Sequence, residues 1–391
     1  MSQNITLWGV IASPYLLKMQ ALADYSCLPW RRLPDQGSWA ESTATLLRLT
    51  RAKRRRSIRR YPNLPSSLDE YPSVPFYSLD KREIFYDSSA LAQHLDTLDC
   101  STNVLLPDAA ELRFICRLID EAFDEFGLYM VHHNRWAVSA SSNCMGSMTA
   151  EEFHSLLPGF FRRRMASQLA QRQVRRCPYL FSVAPADFNC GMPAELTPPA
   201  RDGFPPTHDL LNGAWRRYLS AMEQLLEQQP YLLGDRFTLA DASAYGQLGM
   251  NLVDGIAAEK LQELAPRTYH WLCDIRDAKH QASRGELYLS PALVPLLQII
   301  NETFIPLMQQ NEAAYKESVA NEQTLFNEAA FDRHQALYDG QLMGHAYRAV
   351  VKTFQVAVWR ELRADWDNVP AEEKYRLLER YPQLNPADFE E

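Results

Sequence analysis

No membrane-spanning run is expected near the end of this sequence, where its longest apolar stretch lies. The best candidate, residues 292–300, is interrupted by Pro295 and falls far short of the roughly 20 residues a spanning helix needs. At the N-terminus there is no basic leader, and the apolar residues stop after one strand's length; no secretory signal is expected and a cytoplasmic address follows. The seven cysteines (Cys27, Cys100, Cys116, Cys144, Cys177, Cys190, Cys273) are odd in number, scattered, and include no C-x-x-C pair. That leaves neither a disulfide framework nor a zinc knuckle. His132 and His133 are neighbours and so point in different directions on a helix, which makes no metal site. Internal repeats and low-complexity segments are also missing.

What remains is a composition able to bury a substantial core. The chain has 391 residues, is 46% hydrophobic and carries a net charge of −8, which fits two domains better than one. Residues 5–10 form a short apolar run that breaks at Ser13-Pro14 into a segment with Leu16, Leu17, Met19 and Ala23 at helical spacing. Ser13 suits an N-cap, and Pro14 the first helical position, where the N–H it lacks would be unpaired anyway. Further on, residues 74–77 and 83–86 read as two strands joined by the polar turn 79–82, and Asp87-Ser88-Ser89 supplies caps for a following helix. The α/β part is expected over residues 1–98, with a linker at 99–103 before Pro107. An all-helical part is expected over 107–290, with one long helix at 111–136, a break at 139–148, a helix at about 150–176, and an irregular stretch at 178–206. Residues 291–391 keep a helical period, with Met343, Ala346, Val350, Phe354 and Val358 on one face, and are expected to pack on the helical part.

Taken together, Ser13-Pro14, Val74-Pro75 and Asp87-Ser88 resemble the glutathione transferase superfamily. The downstream segment YLLGDRFTLAD at 231–241, in which Thr238 caps a helix and Asp241 reaches back, resembles that family's helical-domain signature. The resemblance covers roughly residues 4–280. It implies a thioredoxin-like N-terminal domain and an all-α C-terminal domain, here with extra C-terminal helices. It further implies a cis peptide before Pro75, backbone bonds from Val74 to the cysteinyl part of glutathione, and γ-glutamyl recognition by Ser88 (carboxylate) and Asp87 (ammonium). A homodimer is expected on the same ground.

Glutathione chemistry needs a thiolate near neutrality, whereas a free thiol has a pKa of about 8.5. Lowering it by roughly two units requires about 2.7 kcal/mol. A hydroxyl at a helix start can supply this, which singles out Ser13, with Tyr15 as the alternative; a plainer reading makes Ser13 only a cap and Tyr15 a packing residue. Cysteine at this place would favour thiol-disulfide exchange; here the residue is serine, and Cys27 is expected to be a buried apolar residue. Tyr129, His132, His133 and Trp136 fall where the family puts its electrophile pocket, although the aromatics serve equally well as core and the histidines as a polar helix end. The basic run Arg51, Lys53, Arg54, Arg55, Arg56, Arg59 and Arg60 fits a solvated face, an acidic-partner surface or a contact to the glycyl carboxylate. Neither nucleic acid nor membrane is expected as a partner. The expected function is glutathione conjugation to a small, apolar electrophile; the alternatives are a non-catalytic interaction module and a glutathione-dependent peroxidase or isomerase.

Overall fold

The computed structural model describes residues 4–61, 68, 74–79, 83–98 and 103–389; the expected turn at 80–82 and linker at 99–102 lie outside them. β1 (Ile5–Trp8) is the central strand of a three-stranded sheet, parallel to β2 (Trp30–Leu33) and antiparallel to β3 (Phe76–Ser78). Ile5 pairs with Trp30, and Trp8 with both Leu33 and Phe76. The expected hairpin partner of β3 is reduced to one rung, in which the N–H and C=O of Phe85 both bond Tyr77 at 2.9 Å.

Alternation along β1 sends Ile5 and Leu7 into the main core and Trp8 to the opposite face. The main-core face is covered by α1 (Pro14–Tyr25), the other by α2 (Trp39–Arg54), and α3 (Ser88–Asp96) packs beside α1. A reciprocal Ser38–Glu41 capping box starts α2, and Asp87 caps α3.

The long helix expected at 111–136 is continuous but not uniform. It runs as α4 (Ala110–Glu121), a π-helical segment Ala122–Gly127, α5 (Leu128–His133) and a second π segment Asn134–Val138. Next come α6 (Met145–Glu151), inside part of the expected break, and α7 (Gly159–Arg175). The irregular stretch leads to α8 (His208–Gln228), α9 (Leu239–Leu248), α10 (Gly255–Leu264) and α11 (Pro266–Arg276). Every residue of α9 is buried. Asp241 accepts bonds from the N–H groups of Thr238 and Leu232, each at 2.8 Å. Gly246 lets α1 lie directly on α9, because a Cβ there would stand 2.8 Å from the Pro14 carbonyl oxygen.

The C-terminal segment brings extra helices: α12 (Val294–Glu302), α13 (Phe304–Ala320), α14 (Asn327–Asp332), and, further on, α15 (Thr353–Asp367) and α16 (Ala371–Arg380). By length and composition 291–320 is apolar enough to span a membrane, but Leu296, Leu297, Ile300, Phe304 and Met308 are buried in the protein core. Between α14 and α15 the helical reading fails. β4 (Leu337–Leu342) and β5 (His345–Val350) form an antiparallel hairpin with Leu342 opposite His345. Its two-residue loop, Met343-Gly344, has both residues at positive φ (50° and 79°), as the tightest hairpin turns require. Met in place of the usual Asn or Asp hides that signal.

Asp241→Ala strands two buried N–H groups, at about 1–3 kcal/mol each. Urea unfolding is expected to show a loss of about 3 kcal/mol; a loss below about 1 kcal/mol contradicts this role for the cap.

Candidate functional site

A cavity of about 570 Å³ lies where the starts of α1 and α3 meet the α4–α5 run. Ser13, Tyr15, Val74, Pro75, Asp87, Ser88, Tyr129, His132 and Trp136 all line it; His133 does not. Ser13 sits half-buried at the N-cap position with extended backbone, but its hydroxyl makes no capping bond. The Val74–Pro75 peptide is cis.

Asp87 holds a positive φ of 73°. Its Oδ1 accepts from Ser89 N–H (2.9 Å) and Ala90 N–H (3.2 Å), while Oδ2 takes the Nε–H of Arg60. Burial alone would raise its pKa, but Arg60 and Lys18 hold it below the usual carboxylate range. Both oxygens are thus already bonded, unlike a carboxylate waiting for an ammonium ion. The acids that line this end of the cavity are Glu121, Asp124 and Glu125. Asp124 is tied through Oδ2 to Lys18 Nζ at 2.6 Å, and its buried Oδ1 has no hydrogen-bond partner among the described residues. Burial pushes Asp124 up to about 6, against the opposing pull of Lys18, and raises Glu121 as well.

Lys18 is fully buried, with Nζ 2.6 Å from Asp120, 2.6 Å from Asp124 and 2.7 Å from Ser89 Oγ. Burial works to lower its pKa; Asp120 and Asp124 raise it by more. The Tyr15 hydroxyl donates to the Asp124 carbonyl oxygen at 3.0 Å, and burial followed by the charges of Glu125 and Asp124 pushes its pKa well up.

At the other end Tyr129 stacks on Phe181 (centroids 5.2 Å apart) and its hydroxyl receives bonds from Lys352 Nζ (2.6 Å) and Gln355 Nε2 (2.9 Å). The C-terminal segment therefore supplies part of the wall, with Phe354 beside them. His132 is buried, and burial followed by the Arg176 charge drives its pKa down to about 3, so the ring is neutral at pH 7. His133 turns away: its Nδ1 lies 2.9 Å from Ser182 Oγ and its ring packs on His208.

Of the basic run only Arg60 is buried, bridging Asp87 and Glu361 of α15. Cys27 is exposed rather than buried, with φ at 56° just past the far end of α1. Sequence reasoning missed Glu121, Asp124, Glu125, Lys352 and Gln355. The acidic cluster DEAFDE at 120–125 was a usable signal, because it interrupts a stretch that is otherwise apolar.

The architecture is that of a small α/β region followed by a mostly helical part that also carries the β4–β5 hairpin, with the cavity where the two meet. Residues 205–277, from the approach to α8 through α11, match the family described as glutathione S-transferase, C-terminal domain. Over that stretch the chain is similar to the C-terminal domain of glutathione S-transferases. Among solved structures it is similar to a glutathione S-transferase from Pseudomonas fluorescens [Pf-5], at 15% identity over 69% of this chain and 92% of the other, with a TM-score of 0.32. It is also similar to the apo form of a glutathione S-transferase III, at 14% identity over 70% and 91% of the two chains, with a TM-score of 0.32. No curated protein sequence matches the chain.

Lys18→Met leaves Asp120 and Asp124 without their shared cation. It is expected to cost about 3–5 kcal/mol, read as a lowered urea midpoint, with part of the loss recovered in Lys18→Met/Asp124→Asn. A fully stable single variant contradicts the arrangement.

Proposed function

We propose that the protein binds glutathione as its thiolate and transfers it to a small electrophile. One observation carries this reading: the hydroxyl of Ser13, which makes no capping bond, the Val74–Pro75 backbone, the start of α3 at Ser88 and the Oδ1 of Asp124, unpartnered among the described residues, all border a single cavity. The γ-glutamyl carboxylate is received at the N-terminus of α3 by Ser88, where helix-end N–H groups favour an anion. The ammonium group goes to Asp124, with Glu121 and Glu125 beside it, rather than to Asp87. Val74 offers its backbone to the cysteinyl unit.

The thiolate lies at Ser13. A hydrogen bond to a charged group is worth about 1.5–3 kcal/mol, and the positive end of α1 adds about 0.3–1 kcal/mol. Together these cover the roughly 2.7 kcal/mol needed for a two-unit fall in thiol pKa. Tyr15 is less suited, since its proton already serves the Asp124 carbonyl. The thiolate attacks the electrophilic carbon of a substrate lying against Tyr129, His132 and Trp136; the new C–S bond forms as the leaving group departs with its electron pair. A flat apolar body fits the aromatic wall. A cytoplasmic setting, where glutathione is kept reduced, and assembly as a homodimer belong to the same proposal.

Ser13→Ala is expected to lower kcat/KM for conjugation about 30- to 100-fold, or roughly 2–2.7 kcal/mol, with the dissociation constant for glutathione within about threefold of the parent. Unchanged turnover would falsify the role of Ser13; binding without turnover toward any electrophile in the parent protein favours the interaction-module alternative.

Affinity should also depend on pH. Asp124 is protonated below about 6 and negative above it, so calorimetric titration with S-methylglutathione, which has no thiol to ionise, is expected to show roughly tenfold tighter binding at pH 7 than at pH 5, or ~1.4 kcal/mol. Asp124→Asn should flatten that profile. A profile equally steep in the variant removes Asp124 from ammonium recognition.

A further inference from the structure

The basic run has an explanation only when two helices are considered together. From Ser42 to Arg60 the chain carries eight Arg or Lys and no Asp or Glu, and from Gly159 to Arg176 six Arg and no acid, in a protein whose net charge is −8. The two stretches form most of α2 and all of α7. On α2 only Ser42 and Leu49 are buried, and on α7 only Val174. Arg51, Arg54, Arg55, Arg163, Arg164 and Arg175 are all exposed.

Both helices also begin with exposed rings. Trp39, the first residue of α2, is 66% exposed; Phe160 and Phe161, in the first turn of α7, are 72% and 56% exposed. Leu46 and Leu47 of α2 add to them, so these two helices hold five of the twelve large apolar side chains exposed among the described residues. The two helix starts are tied together: Ser42 Oγ lies 3.2 Å from Ser155 Oγ, which donates to the Pro34 carbonyl oxygen at 3.1 Å, and Leu156 packs on the Leu33–Leu49 cluster. Exposed rings therefore stand at the starts of two cationic helices whose one acid, Glu41 in the first turn of α2, is paired with Arg31.

We propose that this face docks the protein peripherally on an anionic phospholipid bilayer. Trp and Phe rings settle at the headgroup level, and each Arg or Lys near an anionic surface contributes about 1 kcal/mol. A single-stranded nucleic acid would instead call for aromatics interleaved with the cations along one track; here the rings gather at the helix starts and the α2 cations at its far end. The sequence-based expectation of no membrane partner rested on the lack of a spanning segment, which has no bearing on surface docking.

The test is co-sedimentation of the full-length protein with vesicles of phosphatidylglycerol and phosphatidylcholine in equal parts, against vesicles of phosphatidylcholine alone. The protein is expected to pellet with the first and not the second, and to be released as salt is raised. Phe160→Ser/Phe161→Ser and, separately, Arg51→Gln/Arg54→Gln/Arg55→Gln are each expected to weaken partitioning at least tenfold; these side chains are exposed, and unchanged thermal unfolding confirms that both variants fold. Failure to pellet at low salt, or equal binding to neutral vesicles, overturns the proposal. Binding to an oligonucleotide that survives the phenylalanine substitutions assigns the face to nucleic acid, and dimerisation in solution that those substitutions abolish assigns it to a second copy; either result also overturns it.

Discussion

Everything at the cavity depends on one ammonium group cut off from water. Lys18 Nζ has three protons and finds three acceptors, in Asp120, Asp124 and Ser89. Those partners belong to α4, the π segment after it and α3, while Lys18 itself is on α1. A buried charge that lost one of these contacts would be several kcal/mol less stable, so the four elements hold one relative placement. Gly246 sets the depth of that placement, because α1 can touch α9 only where no Cβ intervenes. The starts of α1 and α3 are consequently fixed against the acid wall before any ligand arrives.

The same chain of charges reaches into the C-terminal segment. Asp120 also accepts from Arg117 at 2.8 Å; Arg117 faces Glu121 at 2.7 Å and Glu361 at 3.5 Å; and Glu361 holds Arg60, which holds Asp87. Asp87 in turn caps α3. A carboxylate near the end of the sequence thus steadies the helix start that borders the cavity near the other end. Together with Lys352 and Gln355 on the Tyr129 hydroxyl, this makes the segment after residue 291 a structural part of the cavity and not an appendage.

Local signals in the sequence were sufficient wherever one residue decides its own neighbourhood. Asp87 and the Thr238–Asp241 pair mark helix starts because each acts on N–H groups within three residues, and Ser13-Pro14 does so because Pro14 lacks only an N–H that the first helical position leaves unpaired. The features that escaped are those settled at a distance. Asp87 was assigned to a ligand ammonium, since nothing in the local pattern shows that Arg60 occupies it. The β4–β5 hairpin reads as helix in the sequence because Met343, Ala346 and Val350 fit a helical period as well as they fit strands, and Met343-Gly344 lacks a typical turn residue. The π segments are invisible to periodicity, since one extra residue per turn shifts a pattern without erasing it. Cys27 was misread because burial at a helix end is set by what packs there, not by residue type.

The acid wall bears directly on the proposed chemistry. Three carboxylates on one side of a small cavity would impose a negative potential on the place proposed for a thiolate, and at low dielectric that penalty is steep. Burial counters it by raising the pKa of Glu121 and pushing that of Asp124 up to about 6, so both groups hold a proton more readily than ordinary carboxylates. An ammonium group of the proposed ligand would favour the ionised carboxylates and lower their pKa values.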